Sequence, residues 1–447
     1  MIRILSLLLL TSTCFGQLAG DYQLTFKSTP LGDGFFINDD DLLVDSLPLT
    51  IQPDGSFSIT IDGETGTGQA TLASPGLYEA TVTDSVETIA FDFYATPSLS
   101  TMVALNIEPG DFQDLIVLSR KPDTLPVFDD IQGEWTFVSM ETPTMVGSSG
   151  ENGGNVGLLV GTFDVTSASS AQVDVDQLNP EEPDGGVTGS VPYSLDSDGL
   201  TVEPISKLFF NGDKTLLTGV DETEDNYQSL TLMLKRPTSA TLEELEGNWY
   251  VVSIEVDHVH GVNQGTGNSF FAELEFDGEV TQATISVDEG LGTITGRNSE
   301  GVFSGTVTTT ANGRVTVSDP GDTDVILHLG ADGKGGAGDL FVGWEFERFD
   351  FGNENIINYD DNFTLRIGVR NTGTFPVFQP DFGFAVNRLP DGSLRISWNG
   401  GDDIVLQRRF SLNDAVSDWA DVTQAGDPAE YSPTDVSGVE FFRVLQR

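Results

Sequence analysis

Leu242-Glu-Glu-Leu-Glu-Gly-Asn-Trp-Tyr-Val-Val-Ser-Ile-Glu255 decides how this chain is read. An earlier stretch, Ile131-Gln-Gly-Glu-Trp-Thr-Phe-Val-Ser-Met-Glu141, has the same form. A third, Leu18-Ala-Gly-Asp-Tyr-Gln-Leu-Thr-Phe26, is a fainter copy. Each carries glycine, a polar residue and a large aromatic: Gly20/Tyr22, Gly133/Trp135 and Gly247/Trp249. The glycines lie 133 − 20 = 113 and 247 − 133 = 114 residues apart. A period of that length marks tandem structural units. No reaction motif stands beside it, so the stretch speaks to architecture.

Each opening stretch starts a series of short alternating strands separated by turn residues, with no helical periodicity. The first repeat spans 17–123 and holds about eight strands. The later ones are expected at 66–72, 77–83, 88–94, 102–107 and 113–120. Leu49 to Ile61 reads as a hairpin around Pro53-Asp54-Gly55. The second repeat spans 128–237 and the third 242–370. Their final strands end on basic residues: Arg120-Lys121-Pro122, Lys235-Arg236-Pro237 and Arg370. In so acidic a chain, basic residues recurring at one place need a reason. A surface charge at a strand end is one; a cation that meets the repeat's opening aromatic is the other. Thr124-Leu-Pro-Val-Phe128 after Arg120 is echoed by Thr374-Phe-Pro-Val-Phe378 after Arg370. Phe378 therefore opens a fourth, smaller unit at 379–447, which is less acidic: 11 acidic against 6 basic residues, net −5.

A strand that opens on Gly-x-Trp and a last strand that ends on Arg or Lys resemble the lipocalin-like, or calycin, barrels. The matching positions are Gly133/Trp135 with Arg236 or Lys235, and Gly247/Trp249 with Arg370. Gly20/Tyr22 with Arg120 departs from the pattern in its tyrosine. The resemblance implies a basic side chain packed across the indole, and an interior that holds side chains or one small ligand. Eight strands can close into such a barrel, and an eight-stranded open sandwich shows the same alternation. The fold class is all-β: three tandem antiparallel barrels or sandwiches, then a small C-terminal β-module. The tail, with Leu394-Arg-Ile-Ser-Trp398, Val405-Leu-Gln407, Trp419-Ala-Asp-Val422 and Phe441-Phe-Arg443, resembles a module found at the C-terminus of secreted bacterial surface proteins. That implies surface display or sorting.

Residues 1–16 read as a secretory signal, with Arg3, an apolar Ile4–Leu10 and small or polar residues to Gly16. No later stretch is apolar for long enough to span a bilayer as a helix. Cys14 is the single cysteine and leaves with the signal. The exported chain must then hold together by packing, without disulfide, thiol nucleophile or cysteine metal site. The formal charge of −50, from 70 acidic and 20 basic residues, repels nucleic acid and anionic lipid.

Candidate chemistry is sparse. His258-Val-His260 on a strand would put two rings on one face as zinc ligands, with His328 as a third. Two polar residues ending a strand before the Gly261 turn is the plainer reading. Asn38–Asp41, Asp196–Gly199, Asp221–Asp225 and Asp319–Asp324 offer oxygens for weak structural calcium, without EF-hand spacing. Gly333-Lys-Gly-Gly-Ala-Gly338 lacks the Lys-Ser/Thr ending of a phosphate loop and reads as a hairpin tip. No cofactor and no enzyme activity are expected. Two function classes stay open. One is a structural or adhesive exported protein that meets a surface component. The other binds a small apolar ligand or glycan inside its barrels, for which an interior above ~300 Å³ is the mark.

Overall fold

The computed structural model describes residues 18–373 and 375, apart from 31–42, 62–63, 84–87, 108–111, 144–156, 179–186, 203–206, 223–226, 264–267, 289, 300, 319–323, 335 and 351–355, and six strands between 385 and 446. The signal segment 1–16 lies outside the described residues. The chain forms two compact units, 1–376 and 377–447.

Three eight-stranded antiparallel sheets make up the first unit. The first contains β1 (Gly20–Pro30), β2 (Leu43–Ile51), β3 (Ser56–Ile61), β4 (Glu64–Ser74), β5 (Leu77–Thr83), β6 (Thr88–Ala95), β7 (Thr101–Ile107) and β8 (Phe112–Arg120). A four-residue helix, α1 (Phe128–Ile131), leads into the second. That sheet is β9 (Gly133–Pro143), β10 (Gly157–Val165), β11 (Ser170–Leu178), β12 (Val187–Leu195), β13 (Gly199–Val202), β14 (Lys207–Phe210), β15 (Leu216–Glu222) and β16 (Tyr227–Lys235). A 3-10 turn, Glu243–Leu245, leads into the third. It contains β17 (Gly247–Asn263), β18 (Asn268–Asp288), β19 (Leu291–Arg297), β20 (Val302–Thr309), β21 (Arg314–Ser318), β22 (Val325–Ala331), β23 (Ala337–Asp350) and β24 (Ile356–Asn371). Closure is what decides barrel against sandwich, and the first strand of each sheet pairs with both the second and the eighth. The second and third sheets are closed barrels.

The first barrel is nearly closed: its pairing order runs from β2 round to β3 and stops. The expected hairpin at 49–61 is therefore corrected to a corner. Its turn forms, with Gln52 N–H donating to Ser56 O (2.8 Å) and Gly55 at φ +85°. The tip is tied to β4 instead, by Ala70 N–H to Gly55 O (3.0 Å) and Gln69 Nε2 to Asp54 O (2.6 Å). From there β2 pairs with β1 and β3 with β4, leaving a seam between them.

Each barrel has its own apolar interior, around Tyr22, Trp135 and Trp249 respectively. A fourth core is built from their outer faces. Val103, Leu105, Leu115 and Val117 of barrel 1 meet Val138, Met140, Leu230 and Leu232 of barrel 2 and Val252, Ile254, Leu365 and Ile367 of barrel 3. The strands that supply these residues are buried on both faces, as Met102 and Leu118 point into barrel 1 and Met233 into barrel 2. Tyr94 of barrel 1 lies against Tyr250 of barrel 3, ring centres 4.3 Å apart. Gln113 Nε2 of barrel 1 donates to Asp277 O of barrel 3 (3.0 Å). Asn211 Nδ2 of barrel 2 donates to Thr101 Oγ1 of barrel 1 (3.1 Å). Gly330 of barrel 3 stays bare because a Cβ there would lie 2.8 Å from Leu234 of barrel 2. So the three repeats do not stand as separate beads; burying their outer apolar rows makes one body of them.

Residues 377–447 form two three-stranded sheets. One contains Ala385–Arg388, Leu394–Trp398 and Ala429–Tyr431; the other Ile404–Arg409, Ala420–Asp421 and Phe441–Gln446.

Candidate functional site: the barrel ends and the barrel 1 cavity

The same closure is built at one end of every barrel. Tyr22, Trp135 and Trp249 are fully buried. Each donates to a carbonyl four residues upstream: Tyr22 Oη to Leu18 O (2.8 Å), Trp135 Nε1 to Ile131 O (2.8 Å), Trp249 Nε1 to Leu245 O (3.0 Å). Those acceptors are buried apolar residues in the turn before the first strand. A buried indole or phenol needs a partner for its polar atom, and the turn supplies it while capping the barrel. Burial pushes the Tyr22 hydroxyl up to about 12, against the pull of Arg120.

The basic residues of the last strands fall opposite these aromatics in register: Tyr22 with Arg120, Trp135 with Lys235, Trp249 with Arg370. Arg370 Cζ stands 4.4 Å from the centre of the Trp249 ring. Its guanidinium also donates to Glu246 O (2.7 Å) and Glu244 O, and pairs with Asp339 (2.9 Å). Lys235 Nζ stands 5.7 Å over Trp135 and donates to Asp130 O (2.6 Å). Arg236, the other candidate at this place, is corrected: one step along the strand turns it to the opposite face, onto Glu134 and Thr136 Oγ1 (2.9 Å). The glycines have two reasons. A Cβ on Gly20 would come within 3.3 Å of Arg120 Nε, and one on Gly247 within 3.1 Å of Arg370 Nη1. Gly133 and Gly247 also sit at φ +110° and +135°.

Below the aromatic plug, barrel 1 keeps an open interior of about 250 Å³. Leu24, Phe26, Met102, Ile116 and Leu118 form its walls, with Leu49 and Ile51 on one side of the seam and Phe57 and Ile59 on the other. The polar residues lie together: Ser28, Asn106 and Asp114, with Asn106 Nδ2 donating to Asp114 Oδ2 (3.0 Å). Gly68 opposite Phe57 lets that ring lie across β4, since a Cβ there would be 2.2 Å from it. The interior core of barrel 2 contains Phe137, Phe163, Phe210 and Met233. Sequence reasoning named none of the barrel 1 lining; Pro48, which has no N–H to donate, was the signal that β2 borders an unpaired edge.

The histidines do not stand out as a metal centre. His258 is buried on β17, opposite Asp361 of β24, whose carboxylate is held by Arg348 at 2.6 and 2.8 Å. His328 stacks on Trp344, ring centres 4.8 Å apart and nearly parallel. Burial, with Arg236 and Arg314 adding to it, pulls the His328 imidazole down to about 3. The side chain of His260 lies outside the described residues, and among those described no three His, Cys, Asp or Glu form a metal-binding group. Of the calcium candidates, Asp196 and Asp198 are taken up by Lys207 at 3.7 and 2.6 Å. Asn38–Asp41, Glu224 and Asp225 and 319–323 lie outside the described residues. The glycine-rich stretch at 333–338 joins β22 to β23, with Asp332 Oδ1 accepting from Lys334 N and Gly336 N.

No family profile matches the chain, and no curated protein does. Among solved structures it is similar to a protein of unknown function of the DUF3598 family from Nostoc punctiforme, at 8% identity and TM-score 0.20, covering 80% of this chain and 98% of that one. It is also similar to a mutant of the vaccine antigen transferrin-binding protein B from Haemophilus parasuis (11%, TM-score 0.23, 79% of this chain and 77% of that one). A third is the isotype 1 transferrin-binding protein B of Neisseria meningitidis serogroup B (11%, TM-score 0.20, 79% and 76%). Likenesses this low carry nothing over to this chain; its barrels rest on the strand pairing itself.

Proposed function

We propose that this chain is an exported, acidic protein without catalytic chemistry, which binds a small apolar molecule in barrel 1. One observation carries the reading: the 250 Å³ cavity, apolar on all sides but one and bordered by the seam between β2 and β3. It favours ligand binding over a purely structural role, because a core packed for stability alone leaves few voids larger than a water molecule. The volume falls under the ~300 Å³ of a drug-sized site. Scaled from the 150 Å³ that takes benzene, it suits a molecule of about ten non-hydrogen atoms. The Asn106–Asp114 pair and Ser28 would meet a hydroxyl or N–H at one end of it. The signal-like residues 1–16 and the lack of any cysteine beyond Cys14 support export.

The test is ligand-observed NMR of the full chain with indole and naphthalene, beside an Ala70→Leu variant that narrows the cavity. Saturable binding lost in the variant supports the reading. No binding of either probe, or equal binding by an Ala70→Leu protein that melts normally, overturns it.

A further inference from the structure

Barrel 3 is hollow in a different way. Under Trp249, Phe303 and Phe341 lies an apolar cavity of about 250 Å³. Beside it lies a polar one of about 370 Å³. Ser253, Glu279, Asn298 and Arg366 stand in the walls of both, so the two meet across this ring of polar side chains. Beyond it, Glu255, Asp277, Glu345 and Glu347 line the polar side. With Glu279 that makes five carboxylates against one arginine, net −4 (1 − 5) when all are ionised.

These charges are only partly satisfied within the chain. Arg366 Nη2 holds Glu345 at 2.6 Å. Glu279 takes the Ser299 hydroxyl at 2.9 Å, and Asn362 donates to Glu255. Burial pushes the Glu255 carboxyl up, with Asp277 and Glu345 adding to it, against the pull of Asn362 and Arg366. Arg366 Nη1, by contrast, is a buried donor with no acceptor among the described residues. An unmade bond of that kind is costly, and a ligand acceptor placed there would remove the cost.

We propose that barrel 3 binds a hydrophobic amine that carries a hydrogen-bond acceptor next to its nitrogen. The apolar body lies under Trp249 and Phe341. The ammonium sits between Glu279 and Glu255. The neighbouring hydroxyl or carbonyl accepts from Arg366 Nη1. The joined cavities exceed the size of the barrel 1 site, and their polarity asks for a cation where barrel 1 asks for a neutral molecule.

Isothermal titration of phenylalaninol tests this, with 3-phenylpropanoate and 3-phenylpropanol as anionic and neutral counterparts, each run on the full chain and on Ala70→Leu, in which the barrel 1 site is narrowed. One saturable site for the amine is expected, and in Ala70→Leu both counterparts are at least tenfold weaker. Glu279→Gln, which keeps the shape and removes the charge, should weaken the amine about tenfold or more. Val251→Trp, which fills the apolar side, should abolish binding, while Ala70→Leu in barrel 1 leaves it unchanged. Melting curves identify any variant that fails to fold, and a folded Glu279→Gln then decides alone. A cation held merely by the acidic surface would bind at many sites, vanish at 0.5 M salt and ignore both barrel 3 substitutions; that result, or tighter binding of the neutral alcohol by Ala70→Leu, overturns the proposal.

Discussion

Leu232 stands on the outer face of barrel 2 and is fully buried in the core that the three barrels share. Leu232→Ala removes three carbons from a packed site and should destabilise the chain by about 3–4 kcal/mol, within the span seen for buried leucine truncations. How that loss appears on heating depends on what unfolds as a unit. Unfolding entropy is ~2.1 cal/mol/K per residue, so a cooperative body of ~350 residues has ~0.7 kcal/mol/K and Tm falls by only ~4–6 °C. A lone barrel of ~100 residues has ~0.2 kcal/mol/K, and the same loss would lower its own transition by ~15 °C. Scanning calorimetry of the full chain separates the two. The expected result is one main transition for the three barrels, shifted as a whole by the smaller amount. A distinct transition that moves by 15 °C while the rest stays in place would refute the shared core as a source of cooperativity.

Trp249→Ala should cost about 3–5 kcal/mol, and a double-mutant cycle with Arg370→Ala should return a coupling of roughly 0.5–2 kcal/mol; additive losses in denaturant melts would mean that ring and guanidinium do not interact. Lys27 is buried between barrels 1 and 2, with Nζ donating to Thr142 Oγ1 (2.7 Å), and burial pulls it from 10.5 down to about 7. The unfolded chain then binds more protons between pH 7 and 10.5, so the cost of burying this lysine is full below pH 7 and fades as pH rises. Lys27→Met should therefore raise Tm most at pH 6 and least at pH 10; a gain that does not change with pH would show that Lys27 is not the titrating group. Burial pushes the neighbouring Glu141 up to about 7, which gives the opposite slope between pH 4.5 and 7 and must be measured in the same series. His328 stays neutral when folded, so stability should fall as pH drops from 6.5 toward 3, and His328→Phe should keep the stack on Trp344 while flattening that part of the profile.

Strand positions were legible because alternation is written into each strand. The expected 77–83 and 113–120 agree with β5 (Leu77–Thr83) and β8 (Phe112–Arg120) to within a residue at each end. The register of the last strand on the first was also visible, in the basic residues that face the plugs. Closure was not, because it depends on ladder pairing between strands about a hundred residues apart, which alternation alone does not encode. The shared core had a signal that went unread. Leu115-Ile-Val-Leu118 and Leu230-Thr-Leu-Met-Leu234 are almost continuous apolar runs, whereas a barrel strand with one wet face should alternate. Such runs say that both faces are dry, and a second barrel is what dries the outer one.

The difference between the two cavities can be traced to the same alignment that revealed the repeat. Counting from the opening glycine, every second residue points inward: Tyr22, Leu24, Phe26 and Ser28 in barrel 1, and Trp249, Val251, Ser253 and Glu255 in barrel 3. At the third inward place barrel 1 has phenylalanine where barrel 3 has serine, and at the fourth it has serine where barrel 3 has glutamate. The apolar zone therefore runs two residues further along the strand in barrel 1, or ~7 Å at strand rise. That extra layer is what fits the barrel 1 cavity to the neutral molecule proposed for it. Its absence exposes the Glu255 and Glu279 carboxylates to the interior of barrel 3, which is the basis for the cationic guest proposed there. Barrel 2 follows barrel 3 in sequence, with Ser139 and Glu141 at the same two places, yet Ser139 is bonded to Thr231 at 2.8 Å and Glu141 lies beside Lys27 of barrel 1. Lys27 pulls the Glu141 carboxyl down against the burial that raises it. One inward pattern thus gives three outcomes, set by which residue fills the third and fourth places and by what stands opposite.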